Sequence, residues 1–203
     1  MTDFWIYFEN GLRHVLNIFV CKHILFLIAL STPYVFKDWK KLLLLVSAFT
    51  FGNLIALLLS FFGLIIIKGH LIHFLSPLII VFVALLNIYG TRKSSKQGGL
   101  NLLGFATLLI GIIHGLGFSH YFNSLTTASF QSKSISIVEF SLGLGVAQII
   151  VVLLVLICSY IFQTVFRFSK RDWILMVSSF IIGVVLPLII NNGIWNRLIG
   201  IGV

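Results

Sequence analysis

The chain has 203 residues, of which 59% are hydrophobic and only 9% are charged, and its mean hydropathy is +1.12. A soluble globular domain carries about 25% charged residues, so these values exclude that class, and 20 Phe against 3 Pro exclude a disordered chain. We therefore expect an integral membrane protein, in which the net charge of +9 must be interpreted by its position along the chain.

Six apolar runs approach the length of about 20 residues that a helix needs to cross a bilayer core of about 30 Å. Their apolar residues are continuous rather than alternating, which excludes membrane-spanning strands. We predict an all-α fold: a polytopic membrane protein with a bundle of six transmembrane helices in a single domain over 1–203. In chain order, the predicted spans are 14–31, 42–67, 71–90, 100–122, 139–164 and 173–190.

The aromatic residues at 4–8 predict an interfacial anchor before the first span. Basic residues are unequally distributed between the two sides of the predicted bundle, with nine in the loops after spans one, three and five and four on the other side. The positive-inside rule then places both termini outside the cytoplasm. Since topology explains the charge, we expect the lipid bilayer as a partner and no nucleic acid. The nine basic residues are Lys37, Lys40, Lys41, Arg92, Lys93, Lys96, Arg167, Lys170 and Arg171.

Ionisable side chains inside a membrane span cost about 2.5 to 3.5 kcal/mol each on insertion scales, so their presence needs a reason. All six His fall in the outer half or near the midplane of the predicted bundle. Because imidazole binds nickel, copper and zinc and titrates near neutral pH, this pattern predicts a site for a divalent cation or for protons. Alternatively, a His at a helix end simply faces headgroups and water, an interpretation favoured for His70 and His120.

His14 and His23 are nine residues apart, which on an unbroken helix means about 13 Å of rise and opposite faces. They could serve one ion only as two successive positions or through a broken helix. His73 and Glu139, near the outer starts of their spans, are candidate entry groups. Lys22 argues against an unmodified cation site because an ammonium repels a divalent ion, unless burial removes its proton or it pairs with Glu139.

Small residues at four-residue spacing predict two close helix contacts. One of these stripes surrounds His114, so neighbouring helices can approach this imidazole, and both a functional and a packing role stay open for it. The stripes are Ala48, Gly52 and Ala56 in span two, and Gly111 and Gly115 in span four.

Enzyme motifs of metalloproteases, serine hydrolases and phosphate-binding loops are absent from the sequence. Nothing marks Ser119 or Ser141 as a nucleophile. We therefore expect no enzyme and no cofactor, and a transition-metal ion would be a substrate.

Five sequence blocks stand out in order along the chain: GLRHVL at 11–16, HILFLIAL at 23–30, AFT at 48–50, IHGLGF at 113–118, and FSLG at 140–143 followed by AQ at 147–148. They resemble the HupE/UreJ family of bacterial membrane proteins over nearly the whole chain. Members look like small permeases associated with nickel delivery to hydrogenase or urease. The resemblance implies metal-handling roles for His14, His23 and His114, and a bacterial inner membrane location with both termini periplasmic.

Three positions depart from the family pattern. Lys22 stands where the family has Asp before the second His, Asn53 where it has His, and Gly145 where it has Glu. Each replacement removes a metal-binding or charge-balancing group. We predict a HupE/UreJ-like transporter of a nickel-type cation whose site is altered or lost. The alternative is a non-transporting membrane subunit or scaffold, with a membrane-protein partner or as a homo-oligomer.

Overall fold

In the computed structural model, the described residues are 2–17, 22–65, 69–91, 100–117 and 130–198. They are predominantly α-helical and contain no strand, which confirms the all-α class. A short 3-10 turn at Phe36–Asp38 precedes the third helix. The helices are α1 (Thr2–Leu16), α2 (Lys22–Ser31), α3 (Trp39–Phe61), α4 (Gly69–Gly90), α5 (Leu100–Leu116), α6 (Phe130–Thr164), α7 (Lys170–Ile190) and α8 (Gly193–Leu198).

Four of these helical segments are long and apolar enough to cross a membrane. They support a polytopic helical membrane protein, but the described residues do not contain six helices of full spanning length. Two of the predicted spans correspond to shorter apolar helices, Lys22–Ser31 and Leu103–Leu116. The four longer segments are Phe36–Phe61, Leu71–Gly90, Ser134–Thr164 and Lys170–Ile190.

The first predicted span, 14–31, is two helices rather than one. Helix α1 ends at Leu16, Asn17 is not helical, and α2 begins at Lys22. A break at this point places the polar residues that flank it at one end of the two helices.

Helix α1 contains the residues expected to form an interfacial anchor, and it packs on α6. Gly11 of α1 meets the backbone carbonyl of Phe140, and Gly143 of α6 meets that of Phe8. A Cβ atom at either glycine would overlap the opposing backbone. The order of these contacts shows that α1 and α6 are antiparallel.

The predicted small-residue stripes do pack together, on α3 and α5. Gly52 lies against the carbonyl of Leu108, and Gly111 lies against that of Phe49. One turn further along both helices, Gly115 lies against Asn53 and Ala56, so the contacts advance in the same direction and α3 and α5 are parallel neighbours. The largest fully buried side chains of the core include Phe26, Phe49 and Phe140.

Helices α3, α4, α6 and α7 all begin earlier than predicted, and for α6 and α7 the difference has a consequence or a clear cause. Helix α6 begins at Phe130 rather than 139, so Glu139 lies inside a helix of 35 residues and not at its start. Helix α7 begins at Lys170 rather than 173 because Ser169 and Asp172 form a capping box, in which each side chain bonds the other residue's backbone N–H.

Candidate metal centre

Helices α1, α2 and α5 bring three imidazoles together at one end of the bundle. The ring centroids of His14 and His23 are 5.4 Å apart, and those of His23 and His114 are 5.1 Å apart. The exposed fractions of His23 and His114 are only 7% and 3%. His14, His23 and His114 therefore form a continuous set of side chains inside the protein, which we call the imidazole row.

The break between α1 and α2 explains why this row exists. The separation of about 13 Å on opposite faces applies only to an unbroken helix, and the structure has the broken helix that the sequence left open as the alternative. His14 lies in the last turn of α1, and His23 is the second residue of α2. The two rings lie next to each other, with centroids 5.4 Å apart.

The row differs from a closed metal chelate. Its neighbouring rings are tilted by 62° and 71°, in edge-to-face arrangement. Across the part of the chain that the structure describes, no group of three or more His, Cys, Asp or Glu side chains is arranged to hold one metal ion. Successive binding positions, each with one or two imidazoles, fit this geometry better than a single site with three ligands.

Two aromatic rings that sequence reasoning missed enclose the inner end of the row. The His114 ring lies 5.3 Å from Phe26 and 5.6 Å from Phe49, between ring centroids. Neither nitrogen of His114 makes a hydrogen bond of good geometry with a described residue, although the carbonyl of Ile110 lies one turn earlier on the same helix. Both Phe residues belong to the HILFLIAL and AFT blocks, but their apolar character gave no sign of a contact with His114.

Asn53 lies beside the row on α3. Its side chain is fully buried, and neither its amide oxygen nor its amide nitrogen has a hydrogen-bond partner among the described residues. A Cβ on Gly115, the residue after His114, would lie 2.8 Å from the Cα of Asn53. An unsatisfied buried amide costs about 1 to 3 kcal/mol, so this position is suited to a polar ligand near His114.

Lys22 and His73 meet at the outer end of α2. The Lys22 Nζ atom lies 3.4 Å from His73 Nδ1 and donates to the His73 carbonyl oxygen at 3.4 Å. The structure thus links His73 to the row through Lys22, which precedes His23 in the chain. Pairing of Lys22 with Glu139 stays a prediction. The side chain of His70 and all of His120 lie outside the described residues.

A family model described as HupE / UreJ protein matches residues 1–191 of the chain. The chain belongs to the HupE/UreJ family. No curated protein and no solved structure matches it. In this HupE/UreJ protein, the imidazole row joins three of the blocks that carried the resemblance, and they come together although they are distant in sequence.

Glu139 of the HupE/UreJ protein is half-buried on α6. It precedes Phe140, whose ring centroid lies 6.3 Å from that of His14. Glu139 is therefore placed near the outer end of the row by its neighbour, and its predicted role as an entry group stays a prediction.

Gly145 of this HupE/UreJ protein lines a cavity of about 280 Å³ between α3 and α6. A Cβ there would meet only Thr50, with Cγ2 at 3.4 Å, so a side chain could extend into the cavity. Thr50 donates a hydrogen bond to Oε1 of Gln148 at 2.6 Å, while Nε2 of Gln148 and Oγ of Ser141 have no partner among the described residues. The cavity therefore has polar side chains on one side. At Gly145, where the family has Glu, it carries no charge.

Proposed function

We propose that this HupE/UreJ protein is a permease for a nickel-type transition-metal cation, and that the imidazole row carries the ion in successive steps. The observation that carries the proposal is the convergence of three imidazoles from three helices, at 5.4 and 5.1 Å between neighbours. Imidazole nitrogen is a ligand for nickel, copper and zinc. Transport needs binding that is strong enough for entry and weak enough for release. Positions with one or two imidazoles meet both needs.

The substitutions support an altered site rather than a lost one. The imidazole row keeps its three rings, and Asn53 still offers an amide oxygen beside His114. The main unfavourable charge is the ammonium of Lys22, which is drawn toward His73 at the outer end. We expect this charge to slow the entry of a cation without removing the path.

We also propose a membrane location, a partner and a substrate for the protein. We place it in a bacterial inner membrane with both termini periplasmic, because nine basic residues lie on one side of the predicted bundle. Its partner is the lipid bilayer, the metal ion is a substrate and not a resident cofactor, and the protein is not an enzyme.

Uptake by purified protein in liposomes tests this proposal. Nickel, cobalt, copper and zinc are supplied outside, and accumulation is measured over time. We expect uptake of at least one ion and its loss in the His114→Ala variant, since the more deeply buried end of the imidazole row is removed. Ser178→Ala, which changes a fully buried polar residue on α7, is the control and should transport normally. Folded wild-type protein that moves none of the four ions would refute the proposal.

A second function is favoured by a different observation. Lys22 introduces a positive charge beside the row, and the described residues contain no group of three ligands that could hold a metal ion. These features fit a non-transporting membrane subunit or scaffold. Absence of transport, together with extraction as a stable homo-oligomer or with a second membrane protein, would favour this alternative. A lone chain in every mild detergent would count against it.

A further inference from the structure

A second cavity, of about 450 Å³, lies on the other side of Phe26 from the imidazole row. Its walls include Phe26 and Leu30 of α2, and Thr107 and Ile110 of α5. Lys170, the first residue of α7, lines its far end. The cavity therefore faces the side of the protein that carries most of the basic residues.

The same two helices form both the row and the cavity. On α2, His23 comes about one turn before Phe26, and on α5, His114 comes one turn after Ile110. One turn of helix is about 5.4 Å. The cavity thus ends within about one turn of the row, and the row and the cavity follow each other along the helix axes.

A pair of aromatic rings separates the imidazole row from the second cavity. Phe26 and Phe49 are stacked, with centroids 4.6 Å apart and planes inclined by 28°, and both are fully buried. Each ring also contacts His114. Hydrophobic constrictions of this kind close membrane pathways because water and ions do not enter them.

The wall of the cavity beyond Phe26 is mainly apolar, but it includes polar side chains of Asn87 and Thr107 that a cation with part of its hydration shell can contact. Asn87 Nδ2 donates to the Ala29 carbonyl at 2.7 Å, and Thr107 Oγ1 donates to the Leu103 carbonyl at 2.7 Å. These bonds use donor hydrogens and leave oxygen lone pairs to offer to water or a cation. The charge of Lys170 opposes a cation only weakly, because this side chain is exposed and screened by solvent.

We propose that this cavity is the inner half of the permeation path and that Phe26, supported by Phe49, is the residue that gates it. The inference rests on the proposed function, because the row is the outer half of the same path. Movement of the Phe26 ring would connect His114 with the cavity. A closed Phe26 keeps the row separate from the side that bears Lys170.

Cysteine accessibility tests the gate without requiring transport. The two native cysteines, Cys21 and Cys158, are first replaced by Ser. Single cysteines are then introduced as Ala106→Cys in the cavity, His114→Cys in the row and Lys170→Cys at the mouth. A membrane-impermeant methanethiosulfonate is applied separately to each face of sealed vesicles. Labelling of the Lys170→Cys protein identifies the inner face.

From that face, we expect the Ala106→Cys protein to be labelled and the His114→Cys protein to be protected. Labelling of a protected group follows its opening equilibrium, so adding Phe26→Ala should accelerate labelling of His114→Cys by about tenfold or more. Phe105→Ala is the matched control, since Phe105 lies on the same helix as His114, is 60% exposed and is not one of the residues that line the cavity. It should leave labelling of His114→Cys unchanged.

Three results would overturn the gate. The first is that, with Phe26 intact, His114→Cys is labelled from the inner face as fast as Ala106→Cys. The second is that Phe26→Ala does not accelerate the labelling of His114→Cys while Ala106→Cys still reacts normally. The third is that Ala106→Cys is not labelled from that face. If Phe26→Ala does not elute as a folded protein, Phe26→Leu replaces it, with a smaller acceleration expected. Failure of metal uptake with a normal labelling pattern would refute the proposed function alone.

Discussion

Lys22 combines the most unfavourable charge of the candidate path with a position next to His23. Its Nζ atom lies 3.4 Å from Nδ1 of His73, on the exposed outer side. An ammonium at this point repels an approaching divalent ion, but water screens the repulsion. Lys22 is therefore expected to tune the rate of entry rather than to block the path.

The Lys22→Met variant tests this role, because Met keeps most of the length and removes the charge. We expect the initial rate of metal uptake to rise about two- to fivefold, the range set by exposed charge interactions of up to about 1 kcal/mol. Lys22→Arg keeps the charge and is the matched control, with a rate close to that of the wild type. Equal rates in the Met and Arg variants would show that this charge has no part in entry.

Gly145 offers the opposite experiment, in which a charge is added. A Cβ at this position makes only an ordinary contact with Thr50, and the side chain would extend into the cavity of about 280 Å³. Thr50 follows Phe49, whose ring contacts His114. A carboxylate here would thus lie beside Thr50, the residue that follows Phe49 on α3.

We expect Gly145→Glu to raise the affinity of the protein for nickel by up to about fivefold, through attraction in a partly open groove. Gly145→Gln has nearly the same shape without the charge and should leave the affinity unchanged. Isothermal titration of the purified proteins with nickel checks both. A gain of equal size in the Gln variant would assign the effect to packing or to the amide and not to charge.

Close contacts at glycine residues position α5, the helix that carries His114, against α3. Gly111 of α5 lies against the backbone of Phe49 on α3, so a methyl group would force the two helices apart. Gly104, on the same α5, has nothing within 4 Å of an added Cβ. The two positions form a natural pair for testing how tightly α3 and α5 must pack.

We expect Gly111→Ala to lower the free energy of unfolding by about 1 to 3 kcal/mol, as overpacked interfaces do. Gly104→Ala should be neutral or slightly stabilising, because Ala favours helix by about 1 kcal/mol over Gly. Thermal unfolding in detergent, followed by circular dichroism, measures both. Similar melting temperatures for the two variants would contradict the close packing of α3 on α5.

Hydropathy could locate most of the helices but could not reveal the break in 14–31. That run has the length of one span, so a single helix satisfied the bilayer criterion. The available signals were Asn17 and Lys22, two polar residues inside the apolar run, but polar residues also occur in unbroken helices. The break becomes evident only in the structure, where α1 ends at Leu16, α2 begins at Lys22 and the rings of His14 and His23 are 5.4 Å apart.

The candidate site was predictable in its members but not in its arrangement. His14, His23 and His114 are identified by the chemistry of imidazole and by the resembling blocks. Their contact depends on how three separate helices pack, which spacing alone does not determine. Phe26 and Phe49 were missed for a related reason, since a Phe that closes a path and a Phe that fills a core look alike in sequence.

In the assembled protein, the row and the inner cavity form two consecutive parts of one axis, with an aromatic pair between them. The outer part carries imidazoles and the charge of Lys22, and the inner part carries the neutral oxygens of Asn87 and Thr107 with the charge of Lys170 at its mouth. This order suits a cation that is bound first by nitrogen and then released toward water. This proposed path for the cation depends on the contact among the three imidazoles.

A crystal grown with nickel and measured at the nickel absorption edge tests that contact most directly. We predict an anomalous peak within about 2.1 Å of an imidazole nitrogen of His14, His23 or His114, with the three rings adjacent in the order described. The His114→Ala protein, treated in the same way, should lose the peak or retain it only at the outer end. Rings that point apart into lipid, or nickel bound only elsewhere on the protein, would contradict the account.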